Sequence, residues 1–208
     1  MDKKRCVIIG AGEFDGKIPV PGDGAVVIAA DGGYAHIREL GLRPDVVIGD
    51  FDSLGRAPEN ENVIRLNVEK DDTDTLAAIR YGLSEGCGEF HIYGGTGGRI
   101  SHTIANTECL AFLSQKGLRG YLCGNGFYIT AVTDGILEFD AGMSGSISVF
   151  AHGDRAQGVC LRGLKYGLDN AELTNTFPLG VSNSFTGEKS TVRVGRGTLI
   201  VVVEESGL

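Results

Sequence analysis

Six aspartates stand where short apolar runs give way to turns: Asp31 in AADGG, Asp50 and Asp52 in IGDFDSLG, and Asp71, Asp72 and Asp74 in EKDDTDT. Two carboxylates about 4 Å apart repel by roughly 4 kcal/mol at an effective dielectric near 20, so a crevice edge holding several calls for a cation. With no His or Cys among them, the donors are hard oxygens, and the ion that suits them is Mg2+, which keeps part of its water and is shared with substrate phosphates. Asp50 and Asp52, at i and i+2, are expected on one side of an extended segment, bracketing one ion. Each aspartate alone also fits plain turn chemistry: Asp-Gly after a strand, or Asp72 or Thr73 as a helix cap. Their recurrence at successive strand ends is what favours a site, because ligands of open α/β sheets bind beyond the carboxyl ends of the strands.

A second constellation is the segment Gly94–Arg99, GGTGGR, between an apolar run and a helical one. So little side chain lets backbone amides approach a phosphate, and an arginine at the loop's end can clamp it. Gly95, Thr96, Gly98 and Arg99 are therefore candidate nucleotide contacts. His102 at the following helix start and Lys70 ahead of the acidic turn join them, each against a structural alternative: a cap-region histidine and a lysine that neutralises its neighbours. No Walker A sequence is present; Gly187-Glu188-Lys189-Ser190 only looks like one and lies in a β-rich region. Gly10-Ala11-Gly12 after the first apolar run is another nucleotide-loop signal, set against a plain tight turn, but position 15 is Asp where a dinucleotide fingerprint needs glycine.

The elements that must hold these residues follow from periodicity. Strands are expected over 6–9, 25–29, 46–48, 63–66, 90–93 and 120–123, nearly continuous in apolar residues, as when helices cover both faces of a parallel sheet. Thr73 caps a helix carrying Leu76, Ile79 and Leu83 and stopped by Gly86; a second runs from His102 to Lys116, and a short one from Tyr34 to Leu40. After Gly126 the pattern changes to short alternating segments with frequent glycine, which predicts a β-sandwich. The expected fold is thus α/β: a Rossmann-like, mostly parallel sheet with flanking helices over 1–125 and an all-β sandwich domain over 126–208.

Composition narrows the partners. The chain has 208 residues, 42% of them hydrophobic, enough for one large domain or two small ones. A net charge of −8 disfavours a nucleic-acid partner, which needs a basic surface, and points to small molecules. Five scattered cysteines without a C-x-x-C pair suit buried thiols in a reducing compartment. The apolar run after Lys3-Lys4-Arg5 is too short for a signal peptide or a membrane span, so the expected location is cytoplasmic, with no membrane partner.

Taken in order, ADGGYAHIRELGLRPDVVIGDFDSLG, KDDTDTLAAIRYGL, YGGTGGRISHTIAN, LRGLKYGLDNAEL and GVSNSF resemble the thiamine pyrophosphokinase family over nearly the whole chain. The resemblance implies transfer of pyrophosphate from ATP to thiamine with Mg2+, by a homodimer with a catalytic α/β domain and a thiamine-binding β-domain. By matching motif it implies Asp50, Asp52 and Asp71 as Mg2+ ligands, Asp31 and Asp74 close by, Arg99 and its loop on ATP, and Ser182 and Asn183 near thiamine. For the reaction itself, a nearby carboxylate, Asp71 or Asp74, is expected to accept the hydroxyl proton. Ser182-Asn183 also fits a simple turn. Two positions depart from the family pattern: Ser101 stands where R-x-D-H has its aspartate, and Gly167 where K-Y-P has proline. Two other functions remain open on sequence alone, a pyrophosphokinase for another alcohol such as a hydroxymethylpterin and a non-catalytic nucleotide or thiamine sensor.

Overall fold

The structure, a computed structural model, describes residues 3–18, 21–51, 62–66 and 72–205. The chain folds as two compact units, the first of 1–109 with 120–125 and the second of 110–119 with 126–208.

In the first unit, β1 (Arg5–Ile9), β2 (Val26–Ala30), β3 (Val46–Gly49), β4 (Val63–Arg65), β5 (Glu89–Tyr93) and β6 (Arg119–Gly124) lie in the order β4-β3-β2-β1-β5-β6. The first five pair in parallel, with Ile8 opposite Ile28 and Ile92. β1, β2 and β3 are buried almost throughout, which is why their apolar runs are unbroken. Helix α1 (Gly33–Glu39) places Ile37 against Val7, Ile9, Val27, Ala29 and Val47. Helix α2 (Asp74–Ser84) begins at Thr73, whose Oγ1 accepts from the Leu76 amide at 3.2 Å. Its buried stripe is Ala78, Ile79 and Gly82, and a Cβ on Gly82 would lie 2.8 Å from both Cys6 Sγ and Phe90, so the missing side chain is what lets α2 approach the sheet. Cys6 alternates with Val7 along β1, so α2 and α1 cover opposite faces. Helix α3 (Ile100–Gln115) follows the GGTGGR loop.

The second unit holds β7 (Phe127–Thr133), β8 (Ile136–Phe139), β9 (Ser146–Arg162), β10 (Leu168–Thr174), β11 (Gly180–Ser184), β12 (Ser190–Arg193) and β13 (Arg196–Glu204). β9 is 17 residues long and pairs antiparallel with β10, β11, β12 and β13 along its length. Its core gathers Ile147, Val149, Val159, Leu161, Val192, Leu199, Val201 and Val203, with Phe139 edge-on to Phe185.

This architecture corrects the expected fold class. The chain is dominated by thirteen strands of mixed direction, against three helices among the described residues, and is not a Rossmann-like α/β fold with flanking helices plus a separate sandwich. Unbroken apolar strands require covered faces, which is a weaker demand than a helix at each crossover. Two short helices suffice to bury β1–β3, whose strands are only four or five residues long, and the described part of the β1–β2 connection is not helical. The alternating segments after Gly126 likewise share one long strand, β9, instead of closing two independent sheets.

Candidate functional site

A cavity of about 350 Å³ opens at the carboxyl ends of β2, β1 and β5, within the first unit. Its wall is built from Gly10–Gly12 after β1, Ala30 and Asp31 after β2, Thr73–Thr75 at the start of α2, Gly94–Arg99 after β5, and His102 and Asn106 of α3. Most of this lining is glycine backbone and short polar side chain. The titratable groups are Asp31, Asp74, Arg99 and His102. Such a surface suits a polar, anionic ligand approached by main-chain amides.

Asp31 is held there by its main chain. It adopts φ 47, donates its N–H to Ile48 O at 2.8 Å, and accepts at its carbonyl from the Tyr34 amide at 3.2 Å. A Cβ on Gly49 would meet Asp31 Cα at 3.0 Å, so the end of β3 passes directly against Asp31 and delivers Asp50 beside it. Phe51 takes φ 62, a conformation strongly disfavoured for an aromatic residue, and is nearly fully buried among Ile37, Val47 and Tyr93. Phe51 itself is therefore left-handed where an extended residue was expected, and Asp52 lies outside the described residues. Sharp turns of this kind, over-determined by packing, concentrate at functional sites.

The GGTGGR loop is fixed from below. Asn106, buried on α3, donates from Nδ2 to Gly95 O at 2.7 Å. Gly94, Gly97 and Gly98 have φ 59, 75 and 60, which explains why the loop is glycine at those points. Arg99 and His102 are exposed at the rim, and the His102 amide donates to Arg99 O at 3.0 Å. At the start of α2, Asp74 lies in the first turn, where its negative charge suits the helix dipole. Asp72 is ion-paired with Arg80 at 2.7 Å and is therefore engaged on the helix side.

Of the residues expected from sequence, Asp31, Asp74, Gly95, Thr96, Gly98, Arg99 and His102 line this one cavity, and Asp50 directly follows the neighbouring strand β3. Asp52, Asp71 and Lys70 lie outside the described residues. No three His, Cys, Asp or Glu side chains among the described residues gather closely enough to hold a metal ion. Asn106, one turn after His102 on the cavity side of α3, carried no signal in the sequence, whereas Gly10–Gly12, a nucleotide-loop candidate on sequence, does line the cavity.

Ser182 and Asn183 belong to the second unit. Ser182 is exposed, with φ 59, and its amide donates to Ser148 Oγ at 3.1 Å. Asn183 is buried. Its Oδ1 accepts from the Tyr166 and Ser184 amides, both at 2.9 Å, and its Nδ2 donates to Tyr166 O at 2.6 Å. Both lone pairs of the amide oxygen are thereby used, and the side chain acts first on the main chain of Tyr166. Tyr166 is itself exposed, with the Lys165 ammonium 5.3 Å from its ring.

Likeness to known proteins identifies the family of the chain. Residues 23–122 match the family described as thiamin pyrophosphokinase, catalytic domain, and residues 136–199 match thiamin pyrophosphokinase, vitamin B1 binding domain. The chain belongs to the thiamine pyrophosphokinase family. Thiamine pyrophosphokinase of Bacillus subtilis (strain 168) is 26% identical over 182 residues, covering 84% of this chain and 85% of the relative. Among solved structures, the Bacillus subtilis thiamine pyrophosphokinase superposes with a TM-score of 0.86 at 23% identity, covering 98% of this chain and all of that one. That of Candida albicans gives 0.74 at 16% identity over 98% and 90%. At such identities the superpositions speak for the fold, and the two family matches carry the membership. The chain is therefore an enzyme with the family's reaction, thiamine pyrophosphorylation, for which thiamine and ATP are the substrates.

Proposed function

We propose that the cavity at the ends of β2, β1 and β5 binds the ATP triphosphate and that the thiamine hydroxyl attacks the β-phosphorus there. The supporting observation is that glycine-rich backbone, Arg99 and the carboxylates of Asp31 and Asp74 surround one concavity of a size that suits a nucleotide. In this reading the hydroxyl oxygen bonds to the β-phosphorus as the bond from that phosphorus to the oxygen bridging the α-phosphate breaks. AMP leaves with the electron pair, and the hydroxyl proton passes to Asp74 or Asp71. Arg99 and the loop residues Gly95, Thr96 and Gly98 hold the phosphate oxygens in line, with His102 at the rim and Lys70 as a further phosphate contact. Positioning and charge neutralisation supply most of the acceleration, since phosphoryl-type transfer asks little covalent chemistry of the protein.

The carboxylates suit Mg2+: Asp31 and the end of β3 are pressed together, and all their donors are hard oxygens. Asp50, Asp52 and Asp71 would hold the ion. When bound it would withdraw charge from the phosphate oxygens. Ser182 and Asn183 are assigned to the thiamine side, Asn183 through Tyr166. The division into a nucleotide-binding part over 1–125 and a thiamine-binding part over 126–208, a homodimeric assembly and a cytoplasmic location belong to the same reading. The location is supported by the thiol count and by the fact that no helix among the described residues is long and apolar enough to cross a membrane.

Incubating the purified chain with thiamine, ATP and Mg2+ and identifying products by mass tests the reaction. Thiamine diphosphate and AMP are expected; thiamine monophosphate with ADP would instead place the attack on the γ-phosphorus. The vitamin B1 binding match favours thiamine over a hydroxymethylpterin as acceptor.

A further inference from the structure

The segment Gly10–Glu13 precedes the matched catalytic region, which starts at residue 23, and no role follows for it from the family match. In the structure it runs beside the GGTGGR loop as a ladder beyond the ends of β1 and β5. The Gly10 amide donates to Tyr93 O at 2.8 Å, the Gly12 amide to Gly94 O at 2.7 Å, and the Glu13 amide to Thr96 O at 2.8 Å. The two segments touch so closely that side chains are excluded. A Cβ on Gly12 would overlap the carbonyl oxygens of Thr96 and Gly94, one on Gly10 would lie 2.7 Å from Gly94 O, and one on Gly94 would overlap Gly10 O.

The ladder has a directional consequence. In a planar trans peptide the carbonyl and the next residue's N–H point in opposite directions. Fixing Gly94 O and Thr96 O on Gly12 and Glu13 therefore turns the amides of Gly95 and Gly97 away from the 10–13 segment. Alternate amides directed one way are what an oligophosphate needs. We infer that Gly10–Glu13 is a main-chain template that sets the GGTGGR loop in its phosphate-binding conformation, with Gly12 as the principal positioning residue. This inference rests on the proposed nucleotide cavity and adds to it a segment that shapes the loop through backbone alone.

The test uses the intact chain and α,β-methylene-ATP, whose bond at the expected cleavage point cannot break. Gly12→Ala should weaken binding of this analogue by about tenfold or more, the cost of losing one or two charge-assisted hydrogen bonds, while thiamine affinity stays at the wild-type value. In 15N-labelled wild type, the Gly95 and Gly97 amide resonances should shift on adding the analogue, and the Gly12 and Glu13 amides should exchange slowly with or without it. This measurement decides the matter even if Gly12→Ala does not fold. A folded Gly12→Ala with wild-type nucleotide affinity, or analogue binding that leaves Gly95 and Gly97 unmoved, overturns the template. Wild type that binds thiamine but not the analogue removes the nucleotide cavity itself, a different failure with a different signature.

Discussion

Asp31 sits in a left-handed conformation that asparagine also tolerates, so Asp31→Asn removes the charge and leaves the turn in place. If its carboxylate serves the metal-phosphate centre, kcat should fall by at least about tenfold with an unchanged melting temperature, since such electrostatic groups commonly carry that much or more. Steady-state assays and a thermal melt on one preparation check both halves. Asn183 makes the opposite kind of prediction. Asn183→Ala strips the clamp from Tyr166 and should cost about 1–3 kcal/mol of stability, read by denaturant unfolding, because buried backbone groups lose their partners. It should raise KM for thiamine while leaving KM for ATP near wild type. The candidate aspartates were legible because acidic residues after apolar runs announce themselves. Asn183's commitment to Tyr166 was not, since a hydrogen bond across 17 positions leaves no trace in local sequence.

Strands and helices of the first unit fall within a residue or two of where periodicity places them, because each is a short buried run bounded by glycine, aspartate or a threonine cap. What periodicity could not convey is how far strands outweigh helices: the three expected helices stand, among the described residues, against thirteen strands of mixed direction. Unbroken apolar strands report burial on both faces and do not say what covers them. The left-handed turn at Phe51 was hidden for a related reason: the strain is maintained by packing against Ile37 and Val47, which local sequence does not link to it. The β5 strand offers a pH test. Burial works against the charge of Glu89, but hydrogen bonds and charge from His91 and Arg5 outweigh it and leave the carboxyl below its ordinary 4.5. A depressed value stabilises the fold above the unfolded pKa, and that contribution is lost as pH falls through the folded one. Between about pH 5 and about pH 3 the wild type should therefore lose more melting temperature than Glu89→Gln, whose side chain does not titrate.

At the scale of the whole chain, four of the five thiols are sequestered. Burial pushes Cys109 and Cys123 up to about 11 and raises Cys6 and Cys87 as well, so these four are nearly all protonated at neutral pH. Iodoacetamide should label them slowly in the native protein and rapidly in urea, which mass spectrometry resolves site by site. The second unit depends on β9 in another way. Four strands pair with that single stretch, so none can peel off without stripping the same backbone. Deuterium uptake along residues 146–162 should then show one shared protection class set by opening of the entire unit, instead of a gradient from one end to the other. A chain wound about one spine fails all at once, and a proteolytic nick there would be felt in every strand it feeds.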